Sequence, residues 1–566
     1  MKNTLLFLLM TMLCCWQSNA QTFQRYVYEN INNSDYLNSG VQNSLTGNNG
    51  FTSVGTSYFL NFSTFSWDGT LILLKTNMDG TPVVNKGYHF SNAAGSLLSE
   101  GSYIADRFSA GIESYIIAGN VYSGNIVGKD LLFCRISKNG NMVMNYRLSA
   151  GANDVTSDMH QIANGTDKYL ISGTTDVSSI NQIFLIKMGG NGVKSADEVY
   201  AISNGAGPMP IVSGSVKMIE DAAAQHIVLI ARIDDSSTGL NRSAVLVINS
   251  TTYLPVATYL VNDVSFTSVK CIGANNYLFG GVVYDGSGNP FGTLSNATFT
   301  GSALNINWTN KYVSTTGNIT TNSDYLLIHK PTLTNGHTFY YLEGKSPLNM
   351  FVVDSAGNGI SVHKYGSNGN YGYLQAGIQM KNTDSLVLWG NDYAFPSYTY
   401  GYMSKTDVLG NTSSSTSCQN NTLSVTTTSL SLNNSQINCS ATANSFSNLG
   451  SLSVASYNRL ASVCSASSTR LADVDDQINI ENDLSGLSIY PNPVGNNNSL
   501  HIGFTSSFEK ATIQIIDLTG RVITSFDMTS DDGIFETNFD TNNLLSGIYV
   551  LRLVAGDKSI TKQIVK

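Results

Sequence analysis

The sequence predicts an all-β fold, with a seven-bladed β-propeller-like repeat domain followed by a small C-terminal β-sandwich. Three observations predict this fold. Along residues 50–411, a strand rich in Tyr, Leu and Ile recurs and is followed each time by a second apolar strand and a turn. The chain contains 51 Gly but only 12% charged residues, a composition typical of extracellular β proteins. From Leu487 onward, a separate set of apolar strands and turns follows a polar stretch.

With 566 residues, the chain exceeds the roughly 250–300 at which one core stops growing, so at least two domains are expected.

The first residues predict export. Residues 1–20 have the pattern of a signal peptide, since a Lys precedes an apolar run through Trp16 and the small residues Ser18 and Ala20. We expect the mature chain to begin at Gln21, and lipid attachment to a leader cysteine is the alternative. No later apolar run approaches the ~20 residues of a membrane-spanning helix, so the mature chain is not expected to span a membrane.

Charge and cysteine content limit the partners and the redox chemistry. The formal charge of −9 is spread along the chain without a Lys or Arg cluster, so nucleic acid is not an expected partner. Cys134 and Cys271 lie in strand-like stretches and are expected to be buried, unreactive thiols. Cys418, Cys439 and Cys464 share a polar segment of an exported chain, where one disulfide and free thiols are equally open.

Seven copies of the repeat, predicted to span residues 21–411, indicate the ring of blades. The first strand of each copy begins at Ser57, Ser114, Lys168, His226, Asn276, Thr338 or Ser385. It often ends at Gly, which the copy at His226 lacks. The turns after the second strand contain Gly80, Gly140, Gly192 or Gly357, at positions where a tight hairpin needs positive φ. A spacing of about 50–60 residues suits a four-stranded blade, and radial stacking buries faces that one blade cannot bury alone.

Ring closure and blade number each have alternatives. A stacked solenoid or two β-sandwiches would contain similar strands, but neither explains the same order seven times. Six or eight blades are alternatives, because the copies near Ala244 and Thr293 are weak. The stretch RYVYEN from Arg25 is a candidate to complete a blade. The copies resemble the degenerate propeller repeats of large secreted proteins of Bacteroidetes.

Residues 412–484 form a nearly uncharged, Ser-, Thr- and Asn-rich segment that is either a linker or a closing segment. Leu423, Val425, Leu430, Leu432 and Ile437 fall in alternating short runs. This alternation favours the pairing of part of the segment as strands on the last blade.

Residues 485–566 are predicted to form an immunoglobulin-like β-sandwich, with YPNP, DLTGRVI, LSGIYVLRL and TKQIVK as landmarks in that order. These landmarks closely resemble the type A C-terminal sorting domain of the type IX secretion system. The resemblance implies periplasmic transit, recognition by the secretion machinery at the outer membrane, and then release or attachment to the outer cell surface. It assigns sorting to Tyr490, Pro491, Asn492, Pro493, Gly520, Arg521, Gly547, Tyr549, Lys562 and Lys566. A β-branched substitution at Gly547 would be costly if Gly547 occupies a turn position with positive φ.

No catalytic motif is present, and the seven His are scattered, so neither a metal nor another cofactor is predicted. We therefore expect a binding module for an extracellular glycan or surface protein, and predict that the chain is not an enzyme. A hydrolase with carboxylates from distant blades and a structural, adhesin-like spacer are the alternatives. Glu343, Trp389 and Asp392 are the candidate residues at one mouth of the ring.

Overall fold

The computed structural model confirms the all-β prediction, because every secondary-structure element that it describes is a β-strand. It describes residues 23–28, 33–43, 50–61, 66–78, 80–93, 95–109, 112–122, 128–150, 153–163, 167–176, 180–204, 207–234, 241–314, 325–329, 339–345, 348–365, 372–380, 385–394, 398–407, 411, 421–423, 425–443, 447–458, 460–463, 484–490, 499–506, 510–517, 521–529, 534–542, 544, 547–555 and 558–566. The predicted signal peptide lies outside these residues. The chain divides into two compact units, Met1–Ala466 and Ser467–Lys566.

The first unit begins with strand β1 (Phe23–Tyr28) and continues, in its described part, as seven runs of antiparallel strands, here called blades 1 to 7. Blade 1 contains β2 (Asn33–Gln42), β3 (Phe51–Asn61), β4 (Ser66–Thr76) and β5 (Pro82–Asn92). Blade 2 contains β6 (Gly95–Ser109), β7 (Ile112–Tyr122), β8 (Asp130–Ser137) and β9 (Met142–Ser149). Blade 3 contains β10 (Asp154–Gln161), β11 (Lys168–Thr175), β12 (Gln182–Gly189) and β13 (Lys194–Ser203). Blade 4 contains β14 (Lys217–Asp221), β15 (His226–Ile233), β16 (Arg242–Asn249) and β17 (Pro255–Asn262).

The remaining blades repeat the same order. Blade 5 contains β18 (Ser265–Gly273), β19 (Asn276–Tyr284), β20 (Pro290–Phe299) and β21 (Leu304–Ser314). Blade 6 contains β22 (Tyr325–His329), β23 (Phe339–Lys345), β24 (Leu348–Asp354) and β25 (Gly359–Lys364). Blade 7 contains β26 (Gly372–Gln379), β27 (Leu386–Ala394) and β28 (Tyr398–Thr406), and β1 is its fourth strand.

The seven described blades form a closed ring with the strand order of a β-propeller. The first strand of each blade contacts the first strand of the next, from β2 through β6, β10, β14, β18 and β22 to β26, and β26 contacts β2. The first strands are therefore innermost. Strand β1 pairs with β28, with Arg25 opposite Met403, so the candidate closing strand does complete a blade.

Apolar faces of neighbouring blades pack against each other and form the core. In blade 4, Leu229 and Leu246 pack toward Leu170 of blade 3. Val228 and Val247, one position along each strand, pack toward blade 5. Because successive side chains of a strand point to opposite faces, a near-continuous apolar strand can fill two interfaces at once.

The hairpin turns between third and fourth strands have the predicted backbone. Gly80, Gly140, Gly192 and Gly357 have φ of 82°, 75°, 83° and 88°. Tyrosines of the preceding blade reach two of these turns. The Tyr88 hydroxyl donates a hydrogen bond to the Gly140 carbonyl at 2.8 Å, and the Tyr312 hydroxyl donates to the Gly357 carbonyl at 2.8 Å. These two turns therefore also join neighbouring blades.

A return segment, residues 421–463, adds a fifth strand to every described blade. Its strands are β29 (Asn421–Leu423), β30 (Val425–Leu430), β31 (Asn434–Gln436), β32 (Asn438–Ala443), β33 (Ser447–Asn448), β34 (Ser453–Asn458) and β35 (Leu460–Val463). They pair with β25, β21, β17, β13, β9, β5 and β1, so the segment passes the blades in reverse order and ends on blade 7. Pairing of this segment with the last blade alone is therefore too narrow a prediction.

The return segment covers the outer edges of the blades, which would otherwise expose unpaired backbone groups. Its apolar side chains enter the grooves between blades, as Leu430 and Leu432 do between blades 4 and 5. Cys439 lies on this segment as a free thiol, and Cys418 and Cys464 are outside the described residues. Cys134 is fully buried, as expected, whereas Cys271 is only half-buried.

The second unit consists, in its described part, of a three-stranded and a four-stranded antiparallel sheet. Its strands are β36 (Leu484–Tyr490), β37 (Ser499–Ser506), β38 (Lys510–Asp517), β39 (Val522–Thr529), β40 (Ile534–Asp540), β41 (Ile548–Ala555) and β42 (Lys558–Val565). The orders are β36-β37-β40 and β39-β38-β41-β42. Ile502 and Phe535 from the first sheet share one core with Ile513 and Leu551 from the second, so the sheets pack face to face.

Candidate binding site

The innermost strands of five blades carry β-bulges whose inserted residues line one cavity. The inserted residues are Asn38 in β2, Ser102 in β6, Ser157 in β10, Thr267 in β18 and Gln375 in β26. All five are polar, and all five contribute to a cavity of about 190 Å³. Since a bulge bends its strand and re-aims a side chain, the repeated bulges place polar groups around a common centre.

The recurrent Gly of the sequence repeat explains why these strands bulge. Gly55, Gly119, Gly173 and Gly281 each lie on a second strand, opposite the residue that precedes the inserted one. A Cβ at these four positions would lie 1.7, 1.9, 2.0 and 2.4 Å from a carbonyl oxygen of the bulged strand. Only Gly accommodates so close an approach of two backbones.

Blade 4 departs from this pattern and supplies positive charge instead. Ala231 stands where the other second strands have Gly, and the described ladder of β14 with β15 is continuous from Lys217 to Asp221. Lys217 and Arg232 line the cavity, together with Ser215 from the connection that precedes β14. The Ser215 hydroxyl accepts a hydrogen bond from the Arg232 backbone N–H at 3.1 Å, which holds this connection against the second strand.

The ammonium of Lys217 is held at the cavity wall by blades 2 and 3. It donates to the Ser157 carbonyl at 2.7 Å and to the Tyr103 hydroxyl. It also lies 4.8 Å from the centroid of the Tyr103 ring, a cation–π distance. The Tyr103 hydroxyl donates in turn to the Ser157 carbonyl. The Lys217 charge is therefore positioned before any ligand arrives.

Asp158 directly follows the inserted Ser157 in the sequence, so it is the carboxylate closest along the chain to a residue that lines the cavity. Its oxygens accept hydrogen bonds from the backbone N–H groups of Met159, at 2.9 Å, and of Met218, at 2.8 Å. Burial raises the pKa of Asp158, and the positive charge of Lys217 acts in the opposite direction. The carboxylate thus ties blade 3 to blade 4 through the backbone.

His160 lies on the same innermost strand as the inserted Ser157, and burial is the main influence on its pKa. Burial, and then the charge of Lys270, lower the pKa of His160 to about 4. Its Nε2 lies 3.8 Å from Oε2 of Glu220. His160 is therefore neutral at pH 7, and it adds no charge to the cavity region.

The three site residues proposed from the sequence do not form this site. Glu343 and Asp392 lie on the second strands β23 and β27, opposite Leu326 and Gly372 of the innermost strands, and their side chains are outside the described ones. Trp389 is fully buried and packs at 6.5 Å, centroid to centroid, against Phe51 of blade 1. Its ring has no free face for a sugar.

Sequence reasoning missed the inserted residues and the two cations of blade 4. The signal for the first was the Gly of the second strands, because Gly55, Gly119, Gly173 and Gly281 lie opposite bulges. The signal for the second was the copy at His226, which lacks the Gly. Among the described residues, no group of three or more His, Cys, Asp and Glu side chains is arranged to hold a metal ion. No helix in the described part of the chain could cross a membrane.

The residues assigned to sorting are spread over the second unit. Tyr490 ends β36, and Pro491, Asn492, Pro493 and Gly520 are outside the described residues. The Arg521 side chain donates from Nε to Asp517 at 3.2 Å. Tyr549 is buried in the core, and Lys562 lies opposite Leu551.

Gly547 pairs with the last residue of the sequence. The Gly547 N–H donates to the Lys566 carbonyl at 2.8 Å, and the Lys566 N–H donates to the Gly547 carbonyl at 2.9 Å. The φ of Gly547 is not in the left-handed region, and an added Cβ would meet only Tyr549, at 4.0 Å. The condition of a positive φ at Gly547 is therefore not met.

The fold and site define the class of this protein: a modular all-β protein with a ring of blades and a separate two-sheet unit at the C-terminus. Residues 488–566 match the family model of the secretion system C-terminal sorting domain. The chain is thus a cargo of the type IX secretion system, which delivers it out of the cell or onto the cell surface. The resemblance drawn from YPNP and the later landmarks is confirmed.

Other comparisons add little. No curated protein matches the chain. Among solved structures, it is similar to the crystal structure of the Chaetomium thermophilum Sqt1, at 9% identity, over 69% of this chain and 97% of that one, with a TM-score of 0.35. A likeness of this size supports no argument about fold or function.

Proposed function

We propose that the ring is a non-catalytic binding module for an extracellular glycan, delivered by the type IX secretion system. The observation that carries this proposal is the composition of the cavity wall, which consists of hydroxyl, amide and cationic side chains from several blades. Sugar hydroxyls both donate and accept hydrogen bonds, and Ser, Thr, Asn and Gln side chains do the same.

The same wall argues against hydrolysis. A glycoside hydrolase uses two carboxyl groups ~5–9.5 Å apart. Among the described side chains, the residues that line the cavity include no Asp or Glu. Asp158 is close by, but both of its oxygens accept backbone hydrogen bonds. This arrangement supports recognition rather than acid–base chemistry.

The proposal is tested by binding of the purified mature protein to a glycan array, followed by calorimetry on the best ligand. Thr267→Val removes a cavity hydroxyl with little change in shape, and we expect a loss of affinity of about fivefold or more. Thr300→Val is the matched control, because Thr300 lies on an exposed turn of the same blade. Equal binding by both variants contradicts the proposed site.

A second test measures hydrolysis. We expect the purified protein to hydrolyse none of a panel of glycosides. Hydrolysis that is lost in Glu343→Gln or Asp392→Asn would instead establish the hydrolase alternative.

A further inference from the structure

We propose that the cavity takes an anionic group of its ligand, a carboxylate or a sulfate, and that Lys217 and Arg232 bind it. This inference rests on the proposed binding function and names the ligand class for that site. Both cations line the cavity, and they come from the one blade of the repeat that replaces the Gly with Ala231.

The pattern of the repeat supports the charge assignment. In the five bulged blades, the inserted residue is a neutral hydroxyl or amide. In blade 4, the chain reaches the cavity differently, through the connection at Ser215, and it presents two cations there. A positive group therefore occurs at one side of an otherwise neutral polar wall, which orients an anionic ligand.

Among the described residues that line the cavity, the charged ones are both cations, Lys217 and Arg232. Lys270 acts electrostatically on both Asp158 and His160, so its charge reaches the same region as that of Lys217. Burial disfavours the ionised form of Asp158, and both of its oxygens accept backbone hydrogen bonds. An ion pair in a partly enclosed site is stronger than in water because the effective dielectric constant is lower.

The geometry also lowers the cost of binding an anion. The Lys217 ammonium is fixed by the Ser157 carbonyl and by Tyr103 before binding, so little side-chain freedom is lost when a ligand enters. A hydrogen bond to a charged partner contributes about 1.5–3 kcal/mol, which corresponds to roughly 10- to 150-fold in affinity.

The test is isothermal titration of the mature protein with three probes: D-glucuronate, D-glucose and sodium sulfate. We expect glucuronate to bind at least about tenfold more tightly than glucose, with affinity that falls as salt rises. Lys217→Met should remove that preference. Lys311→Met is the matched control, since it changes the net charge equally and Lys311 lies over the Phe291 ring of blade 5, outside the cavity lining.

Each outcome has a distinct meaning. If glucose-containing glycans bind and are sensitive to Thr267→Val, but glucuronate has no advantage, the anionic inference fails and the binding function stands. If nothing binds, both fail. If sulfate binds as tightly as glucuronate and Lys217→Met abolishes both, the site recognises the anion without the sugar ring. If the Lys217→Met variant does not fold, the same titrations are made with two other variants. Arg232→Gln removes the other cation, and Lys217→Arg keeps the positive charge.

Discussion

The return segment is held to the ring by specific contacts, and Asn145 makes the clearest of them. Its side-chain amide donates to the Leu452 carbonyl at 3.0 Å and accepts from the Leu452 N–H at 2.6 Å. The Asn145 side chain thus pairs with Leu452 as a neighbouring strand would. We predict that Asn145→Ala loosens the return segment on blade 2.

The size of the effect follows from the two bonds. Each neutral hydrogen bond contributes about 0.5–1.5 kcal/mol, so the loss is ~2 kcal/mol, or about 30-fold in the local opening equilibrium. Native-state hydrogen exchange measures that equilibrium. The Leu449 N–H, which donates to the Arg147 carbonyl at 2.8 Å, should exchange about 30-fold faster in the variant.

An internal control separates a local effect from global loss of stability. The Ile437 N–H donates to the Thr258 carbonyl on blade 4, and its exchange should not change. Asn307→Ala is the matched variant, because the Asn307 side chain also makes two hydrogen bonds, both within blade 5. Unchanged exchange at Leu449 would refute the assigned role of Asn145, and acceleration everywhere would show that the segment does not open separately.

Three further predictions concern the ring itself. Tyr88→Phe should lower the free energy of unfolding of the first unit by about 1–2 kcal/mol, measured in urea, because the Gly140 carbonyl loses a buried partner. Gly173→Ala should cost at least ~3 kcal/mol or prevent folding, because its Cβ would lie 2.0 Å from the Val155 carbonyl oxygen. Asp154 has its pKa raised by burial to about 6, from 3.8, so its contribution to stability is complete below pH ~4 and is lost as pH rises through 6. Relative to Asp154→Asn, the wild-type protein should lose up to ~3 kcal/mol between pH 4 and pH 7.

These predictions have controls in the same chain. Tyr312→Phe should cost less than Tyr88→Phe, because the second donor to the Gly357 carbonyl, Asn310 Nδ2, is at 2.8 Å, whereas the second donor to the Gly140 carbonyl, Lys86 Nζ, is at 3.3 Å. Gly286→Ala should be neutral within ~0.5 kcal/mol, since an added Cβ meets nothing within 4 Å. His160→Gln should change the pH profile in the opposite direction to Asp154→Asn, because burial lowers the pKa of His160. Parallel profiles for the wild type and Asp154→Asn would contradict the assigned pKa.

The seven copies could be predicted because the second and third strands of each blade are apolar and because a Gly turn follows the third strand in blades 1, 2, 3 and 6. The innermost strands were harder to recognise. A bulge inserts one residue and shifts the alternation of inward and outward side chains, so DVTSDMHQ in β10 has no regular period. The strand that comes first in each copy of the sequence repeat is therefore the second strand of its blade. For the same reason, the inserted residues that line the cavity were missed.

The return segment was only partly predicted for a different reason. Its strands are two to six residues long, and among the described strands each pairs with a single partner. Short polar strands of this kind carry little periodicity, and their pairing is with residues far away in sequence, as Ser453 with Ser91. Leu430, Leu432 and Ile437 gave a usable signal because they fill grooves between blades.

The order of elements along the chain links ring closure to export. Strand β1 lies between β28 and β35, so the seventh blade is complete only when both β1 and β35 are in place. The return segment ends at Val463, and the second unit, which carries the sorting domain, begins at Ser467. A chain cut short anywhere in the return segment therefore lacks the sorting domain as well. Truncation from the C-terminal end thus removes the sorting domain before it uncovers the blade edges, which could otherwise pair with other chains.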